Sequence, residues 1–449
     1  MKLSFLKKKK ILILGLGREG MATFLFLRRV FPQKVLGLAD QLEYQKLPPK
    51  CRRLIERDKK IRLYLGNNYL KSLPKYDIVI KSPGIPIHLP EIERAQKLKK
   101  ITSATEIFFE NCLGSIVGIT GTKGKSTTTS LIYKILKEAK LKVHLVGNIG
   151  RPVLSLFSSF YKKDHIFVYE LSSHQLFNLK KSPHIAVLLN IYREHLDYYK
   201  SFKEYIKAKE NITRWQNSRD YLIFNSKDKI VEEIAKHSKA KKIPIPDVSQ
   251  IRIKTGLIGK LNPEGVMAAI AVGRIFHLSL KKMEEVIEKF KPLPCRLEFI
   301  GQFKDIRFYN DSLSTIPEST IKALKVLGED VETLILGGFD RNQNFKQLSK
   351  EILKSKVRNL ILFPTTGKRI WQDILYENRA LTHKGQSQRL PKHFFVENMK
   401  EAVKLSFENT NKRKICLLSP ASPSFGIFKD YRERGNLFKK WVRRYGASK

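Results

Sequence analysis

The sequence predicts an α/β protein of three domains: a Rossmann-like N-terminal domain, a central P-loop-type domain with a mostly parallel sheet, and a Rossmann-like C-terminal domain. Short apolar runs alternate with helix-spaced segments along the chain. Glycine-rich turns follow several of these runs, which is typical of nucleotide-binding units. The length of 449 residues exceeds one hydrophobic core. We place the domains at residues 1–112, 113–293 and 294–449.

The first domain begins with a strand, a glycine turn and a helix. The apolar run Ile11–Leu14 precedes a GxGxxG turn formed by Gly15, Gly17 and Gly20. Asp40 follows the next predicted strand, about 20 positions on. This pattern predicts a nucleotide pyrophosphate site but leaves the nucleotide open, NAD included.

The second domain opens on a shorter glycine loop, with two residues between Gly121 and Gly124. Glycines let the backbone approach phosphate oxygens, and the N–H groups at a helix start carry positive partial charge. Lys125 is placed to reach β- and γ-phosphates, and the Ser126 hydroxyl is suited to Mg²⁺. The loop therefore predicts a bound triphosphate with Mg²⁺.

Polar residues follow or end other predicted strands of this domain. Asn148, Glu170 and His195 each stand near the end of an apolar run. The carboxyl ends of parallel strands share one crevice, so we expect these side chains to face the same site as Lys125 and Ser126.

The third domain repeats the strand–loop–helix theme. Two prolines in Phe290–Glu298 indicate an interdomain linker and a hinge candidate. Predicted strands end in Asn310-Asp311-Ser312, in the Gly337–Arg341 turn and in Ser419–Phe425. Two polar stretches are predicted to be loop-rich: Ser238–Lys254 and Glu377–Lys392.

The net charge of +44 is the most unusual compositional feature. The lysines are spread along the whole chain, and we find no helix-turn-helix, zinc-finger or RNP-type motif. We interpret the charge as solvated surface and expect no nucleic-acid partner. A nucleic-acid-stimulated ATPase stays open as an alternative that only the charge motivates.

The cysteines and the N-terminal segment bear on location. The four cysteines show neither metal-ligand spacing nor a disulfide framework, which is typical of a reducing compartment. The basic start and Ile11–Leu14 superficially resemble a signal peptide, but the apolar run is too short and no cleavage site follows. No segment reaches the length of a membrane span. We therefore expect a cytoplasmic protein.

Taken in order, these motifs resemble the Mur ligase family, which comprises ATP-dependent amide-forming ligases of peptidoglycan precursor synthesis. The resemblance covers essentially the whole chain. It is carried by the Gly121–Thr127 loop, Glu170–Gln175, Asn190–Asp197 and Arg296. The branch that adds D-glutamate is the one most similar in the Gly15–Gly20 turn, in Ser82–Ile85 and in Ser419–Phe425 with the following Phe428 and Arg434-Gly435. The resemblance implies a ligase that joins D-glutamate to UDP-N-acetylmuramoyl-L-alanine through an acyl phosphate, in cell-wall biogenesis.

The resemblance also implies residue roles. The UDP-substrate would bind Gly15, Gly17, Gly20, Asp40, Ser82, Pro83, Gly84, Asn148, Ser172, Gln175 and His195. ATP would bind Gly121, Thr122, Lys123, Gly124, Lys125, Ser126, Thr127, Asn262, Arg296 and Asp311. Two Mg²⁺ ions would be held by Ser126, Glu170, His195 and a carbamylated Lys209. D-Glutamate would bind Arg341, Ser424, Phe425 and Tyr431. Catalysis would depend on Lys125, Lys209, His195 and Glu170, in a monomer.

Four positions depart from the family pattern. Leu313 stands where family members usually have lysine, Gly265 replaces a frequent asparagine, Cys295 a frequent histidine and Gly426 a common aspartate. Arg341 is a candidate to replace part of the charge absent at Leu313. These departures leave open another Mur-type ligase with a different acceptor or uridine substrate.

Overall fold

The computed structural model describes residues 1–160, 162–194, 198–246, 263–290, 293–382 and 388–447. The chain forms two compact units, Met1–Phe290 and Lys291–Lys449. The first unit contains two parallel sheets and the second contains one mostly parallel sheet. The predicted α/β class is confirmed, and the three domain boundaries stay a prediction.

The first sheet lies at the start of the first unit. Its elements are α1 (Leu3–Leu6), β1 (Ile11–Leu14), α2 (Arg18–Val30), β2 (Leu36–Asp40), α3 (Pro49–Glu56), β3 (Ile61–Leu65), β4 (Ile78–Lys81), α4 (Pro90–Lys97), β5 (Ile101–Thr102) and α5 (Ala104–Asn111). The strand order is β3-β2-β1-β4-β5, and all pairs are parallel. Both faces of β1 are buried: Ile11 and Ile13 pack on one side, Leu12 and Leu14 on the other.

The second sheet completes the first unit. Its elements are β6 (Ser115–Thr120), α6 (Lys125–Glu138), β7 (Val143–Gly147), β8 (Ile166–Glu170), α7 (Ser173–Leu176), β9 (Ile185–Leu188), α8 (Phe202–Glu210), β10 (Tyr221–Phe224), α9 (Lys229–Lys236), β11 (Lys241–Pro244), α10 (Pro263–Ile275) and α11 (Leu280–Glu288). The parallel order is β11-β10-β9-β6-β8-β7. Because β6 lies between β8 and β9, the loop after β6 lies between the ends of those strands.

The third sheet forms the second unit. Its elements are β12 (Glu298–Phe303), β13 (Ile306–Asn310), α12 (Pro317–Leu327), β14 (Val331–Gly337), α13 (Lys346–Lys354), β15 (Asn359–Phe363), α14 (Thr366–Thr382), β16 (Lys392–Phe395), α15 (Met399–Asn409), β17 (Ile415–Leu418) and α16 (Tyr431–Ala447). The order is β12-β13-β17-β14-β15-β16, with only β12 antiparallel to its neighbour.

The two stretches predicted to be loop-rich contain regular structure, so that prediction was partly wrong. Strand β11 lies inside Ser238–Lys254, α14 continues to Thr382, and β16 begins at Lys392. Both strands lie at sheet edges, where exposed polar residues obscure the apolar alternation. In the described ranges, no helix combines the length and apolarity needed to cross a bilayer.

Candidate functional site

The glycine loop after β6 brings a lysine ammonium to the middle of the sheet edge. Gly124 caps α6 with φ +85°, a left-handed conformation that favours glycine. Lys125 Nζ donates to the carbonyl oxygens of Gly121 at 2.9 Å and Thr122 at 3.0 Å. The ammonium therefore lies over the loop from which its own helix begins. Thr127 follows in the first turn of that helix.

A clamp formed by Asn190 fixes the loop. Its Oδ1 accepts from the Lys123 backbone N–H at 2.8 Å, and its Nδ2 donates to the Lys123 carbonyl at 3.1 Å. The Asn190 carbonyl accepts from the Thr122 N–H at 2.8 Å. The Thr122 hydroxyl also lies 2.9 Å from the Tyr205 hydroxyl. The Asn190 side chain had been given no role from sequence, although its place just after β9, beside β6, was a usable signal.

Ser126 and Glu170 form a buried oxygen pair beside the loop. Ser126 Oγ donates to Glu170 Oε1 at 3.0 Å, and Glu170 at the end of β8 is 3% exposed. Within the described ranges, Glu170 Oε2 is buried without a hydrogen-bond partner. An unsatisfied buried carboxylate oxygen is unfavourable, and a hard cation such as Mg²⁺ satisfies it. The pair therefore fits Mg²⁺.

Carboxylate, histidine and cysteine side chains alone do not form a metal cluster in the described ranges. No group of three or more His, Cys, Asp or Glu residues suited to a metal occurs in the part of the chain that is described. Two predicted site residues, His195 and Asn262, lie outside the described residues. A cation at Ser126 and Glu170 therefore needs ligands beyond the described carboxylates.

The side chain of Lys209, on α8, reaches the same glycine loop. It is 1% exposed, and its Nζ lies 2.9 Å from the Gly121 carbonyl and 4.9 Å from the Tyr205 ring centroid. Burial first, and then the cations Lys125 and Lys123, hold the pKa of Lys209 well below its usual value. The amine therefore loses its proton at a much lower pH than an exposed lysine.

The GxGxxG turn after β1 has the close packing that its glycines predict. A Cβ on Gly20 would lie 1.8 Å from the Gly15 carbonyl oxygen, so only glycine lets α2 start this close to the strand. The Asp40 carboxylate accepts from the Leu16 N–H at 2.6 Å, and the Ser82 hydroxyl donates to the Gly15 carbonyl at 2.9 Å. These predicted residues are brought together, and Asp40 supports the turn itself.

Glu19 connects that turn to the predicted muramoyl end of the site. Its Oε2 accepts from Gln175 Nε2 at 3.4 Å, and Gln175 forms a capping box with Ser172 at the start of α7. Among the described residues, Glu19 Oε1 is buried without a partner. Burial raises the pKa of Glu19 to about 7. Sequence reasoning gave Glu19 no role, although it lies inside the GxGxxG turn.

Lys81 was also missed. Its Nζ donates to the Ile85 carbonyl at 2.9 Å and to the Ser82 carbonyl at 3.2 Å, beside the predicted Pro83-Gly84 turn. Burial lowers the pKa of Lys81 to about 8, and the charge of Glu19 opposes that shift.

The predicted site residue Asn148 is exposed after β7, where its backbone N–H donates to the Glu170 carbonyl at 3.3 Å.

In the second unit, the ends of β13, β17 and β14 bring three predicted loops together. Asp311 accepts from the Ser419 hydroxyl at 2.8 Å and from the Leu297 N–H at 3.2 Å. The Phe339 N–H donates to the Pro423 carbonyl at 2.8 Å. Burial raises the pKa of Asp311 to about 6. The backbone N–H of Arg296, a predicted ATP-binding residue, donates to the Leu293 carbonyl at 3.2 Å.

Two of the predicted D-glutamate residues are in contact. The Arg341 guanidinium lies 5.5 Å from the Phe425 ring centroid, and Phe425 is 47% exposed. Ser424, which directly precedes Phe425 in the sequence, is buried. The Tyr431 carbonyl accepts from the Ser312 hydroxyl at 2.8 Å.

Arg434 is fully buried in this unit, and from sequence it had a place in the resemblance but no role in the site. Its guanidinium donates to the Ser312 carbonyl at 2.8 Å and to the Ser422 carbonyl at 3.1 Å. It thereby ties the loop after β13 to the loop after β17. Burial lowers its pKa to about 9.

Among the four departures, Gly426 has a structural reason. Its φ of +87° suits glycine better than the common aspartate. Gly265 is buried in α10, and Cys295 is buried with its carbonyl accepting from the Leu313 N–H at 3.0 Å. Nothing in the structure explains the choice of leucine at 313.

Comparisons with known proteins agree with this geometry. The profile described as "Mur ligase MurD-like, N-terminal domain" matches residues 9–102, and the profile "Mur ligase middle domain" matches residues 119–250. A protein of Acetivibrio thermocellus named UDP-N-acetylmuramoylalanine--D-glutamate ligase is 33% identical, over 97% of each chain. The chain belongs to the Mur ligase family. The resemblance predicted from sequence is confirmed.

Further relatives support the assignment of the chain to the Mur ligase family. A Clostridium tetani protein of the same name is 32% identical over 98% of this chain and 97% of its own. The structure of MurF from Acinetobacter baumannii covers 96% of this chain and 90% of its own, with TM-score 0.60 and 14% identity. For MurC from Thermotoga maritima, the TM-score is 0.56, the identity 18%, and the coverage 98% and 100%. These two structures show the fold alone.

Proposed function

We propose that this Mur ligase is an ATP-dependent enzyme that joins D-glutamate to UDP-N-acetylmuramoyl-L-alanine. The observation that carries the proposal is the group formed by Lys125, Ser126, Glu170 and Lys209 around one glycine loop. The names of the full-length relatives support the substrate and the acceptor.

The chemistry needs an activated carboxylate, because an amine does not displace oxide from a carboxylate. The substrate carboxylate oxygen attacks the γ-phosphorus of ATP, and ADP leaves. The D-glutamate nitrogen then attacks the acyl phosphate carbon, and phosphate leaves. Lys125 and the loop N–H groups stabilise the charge that develops on the transferred phosphoryl group.

Ser126 and Glu170 are the residues that would hold Mg²⁺, with His195 and Lys209 as further proposed ligands of two ions. When bound, Mg²⁺ neutralises phosphate charge and polarises the phosphoryl oxygen. The unpartnered Oε2 of Glu170 supports this assignment.

We propose that Lys209 is carbamylated. Its neutral amine would form a nitrogen–carbon bond with CO₂ and release one proton, which leaves an anionic carbamate with two oxygens. The low pKa of Lys209 and its burial beside Gly121 support this step. Carbon-13 NMR on protein equilibrated with labelled CO₂ tests it: a carbamate signal is expected that Lys209→Met lacks. A spectrum without that signal contradicts carbamylation.

The remaining roles stay proposals, in a cytoplasmic monomer. The UDP moiety would bind the Gly15–Gly20 turn with Asp40 and Ser82, and the muramoyl end would face Ser172 and Gln175. The close packing of the turn and the Glu19–Gln175 contact support this arrangement. D-Glutamate would bind Arg341, Ser424, Phe425 and Tyr431, and the Arg341–Phe425 contact supports that pocket.

An acceptor screen tests the function. Phosphate release from ATP is expected to require UDP-N-acetylmuramoyl-L-alanine and to prefer D-glutamate. Release with L-lysine, or with L-alanine on UDP-N-acetylmuramate, would contradict the proposed acceptor. Release stimulated by DNA or RNA would instead favour the nucleic-acid ATPase.

A further inference from the structure

The edge of the first sheet opposite the GxGxxG turn is rich in lysine. All five strands are parallel, so they begin on one edge. A lysine lies within three residues before the start of each strand: Lys10, Lys34, Lys60, Lys75 and Lys100. Five strands spaced about 4.8 Å apart give this edge a width of about 20 Å.

Backbone pairing places these lysines next to one another. The Lys10 carbonyl accepts from the Ile78 N–H at 3.1 Å, and the Lys100 carbonyl accepts from the Val79 N–H at 2.8 Å. On the other side of β1, Lys34 Nζ donates to the Lys9 carbonyl at 2.9 Å. The lysines therefore form one continuous surface, which we call the basic edge.

The basic edge contains little compensating negative charge. In the described ranges, none of the five lysines has a carboxylate partner within 4.0 Å. Asp77 accepts from the Lys10 N–H at 2.8 Å, and Asp58 is paired with Arg28 at 2.6 Å. Three of the ammonium groups donate to neutral protein oxygens: Lys34 to the Lys9 carbonyl, Lys60 to the Gln33 side chain and Lys100 to the Tyr76 carbonyl. These contacts leave the positive charge uncompensated, so the edge keeps a net attraction for an external anion.

Exposed apolar side chains stand among these lysines. Val35 directly follows Lys34 and is 50% exposed, and Leu98 near Lys100 is 62% exposed. Phe5 is also 50% exposed, and Lys9 Nζ lies 5.2 Å from its ring centroid. The surface therefore alternates cations with side chains that gain free energy on leaving water.

Neither the dipoles of nearby helices nor binding of nucleic acid explains why the basic edge combines lysines with exposed apolar side chains. The helices that precede β2, β3 and β5 end at the same edge, and cations complement the negative ends of their dipoles. That effect does not call for exposed valine, leucine or phenylalanine. Duplex nucleic acid would use the cations alone, and a single strand would add stacking on Phe5 but gain nothing from Val35 or Leu98. An anionic bilayer surface uses the cations and all three apolar side chains.

We propose that the basic edge binds the surface of membranes that contain anionic lipids. The lysines contact lipid phosphates, while Phe5, Val35 and Leu98 enter the boundary between headgroups and acyl chains. The GxGxxG turn lies at the opposite edge of the same sheet and stays open to water. The protein would then act next to the bilayer surface.

Vesicle sedimentation of the full chain tests the charge component. Wild-type protein is expected to partition onto vesicles of phosphatidylcholine with phosphatidylglycerol, and not onto phosphatidylcholine alone. The variant Lys10→Gln, Lys60→Gln, Lys100→Gln is expected to lose about tenfold or more in partitioning. The matched control, Lys356→Gln, Lys368→Gln, Lys412→Gln, removes the same charge from exposed positions of the second unit. Equal losses in the two variants would overturn the proposal, because binding would then follow net charge alone.

The apolar component has its own readout. The chain contains three tryptophans, and Phe5→Trp adds a fourth on the edge. Its added emission is expected to shift to shorter wavelength and to be quenched by vesicles with brominated acyl chains, beyond the wild-type background. Phe5→Ser with Leu98→Ser is expected to weaken partitioning at unchanged net charge.

Ligase turnover of all variants serves as the folding control, since none alters a proposed site residue. Added emission that is not quenched would overturn the proposal. So would retention on RNA that the triple glutamine variant loses while vesicle binding is absent in the wild type.

Discussion

Two turns of the first unit share one backbone plan and differ in charge. Each follows a buried parallel strand, contains glycines at close contacts and opens a helix at the carboxyl edge of its sheet. The turn after β1 is bordered by two carboxyl groups, Glu19 and Asp40. The loop after β6 is bordered by the amines of Lys125 and Lys209.

The difference separates what glycine decides from what ionisable side chains decide. Glycine makes room for a ligand and frees backbone N–H groups, and both turns do this. The cations after β6 suit a triphosphate, whereas at the turn after β1 a carboxylate already accepts from the Leu16 N–H. The glycine pattern alone therefore left the nucleotide open in the first domain.

The largest effect is expected for Lys125→Ala. Loss of the ammonium over the loop removes charge stabilisation from phosphoryl transfer, so kcat should fall by about a thousandfold or more. Calorimetric binding of UDP-N-acetylmuramoyl-L-alanine should be unchanged, because that substrate is assigned to the turn after β1. Loss of both would show that the two turns are not separate sites.

Lys209→Ala is expected to lower kcat about a hundredfold, with partial rescue by a small carboxylate that replaces the carbamate oxygens. Lys207→Ala, on an exposed position of the same helix, is the control and should be neutral. The fold should tolerate Lys209→Met, because an apolar group replaces a buried amine. Unchanged activity in the alanine variant would refute the ligand role.

A comparison of Gly20→Ala with Gly17→Ala tests the close glycine packing, which is the feature that the two turns share. An alanine at position 20 meets the Gly15 carbonyl at 1.8 Å, whereas nothing lies within 4 Å of a Cβ at Gly17. Urea unfolding should show a loss of about 3 kcal/mol for Gly20→Ala and below about 1 kcal/mol for Gly17→Ala. Similar losses would mean that the turn relaxes to admit a side chain.

The smallest effect concerns pH. The folded pKa of Glu19 is raised from 4.5 to about 7, so between these values the folded state keeps a proton that the unfolded chain releases. This contribution to stability is full below pH 4.5 and is lost as pH rises to about 7. Glu19→Gln should remove on the order of 1 kcal/mol of that pH dependence. Glu43→Gln, at an exposed carboxylate, should leave it unchanged, and an equal effect there would contradict the assignment to Glu19.

The strands that carry the site were predictable because they are buried on both faces. The apolar run Ile11–Leu14 was predicted as a strand at the bounds that β1 has. The edge strands β11 and β16 were not predicted. In β16 the residues Lys392 and His393 face solvent, so burial imposes no apolar pattern on them.

For the site, sequence order was informative only near the strand ends. Glu170 and Ser126 were placed together because each follows or ends a strand of one sheet. The Glu19–Gln175 contact joins residues 156 positions apart, and no local pattern encodes it. The role of Arg434 was not predicted for the same reason, because its partners come from two loops more than ten positions away.

The Asn190 clamp has a consequence for affinity. Since Lys123 is held through both its N–H and its carbonyl, the loop has its shape before any nucleotide arrives. Binding then loses little backbone entropy, and the N–H groups need no reorganisation during phosphoryl transfer. The nucleotide loop is thus preorganised by a residue that belongs to a different strand end and need not contact the nucleotide at all.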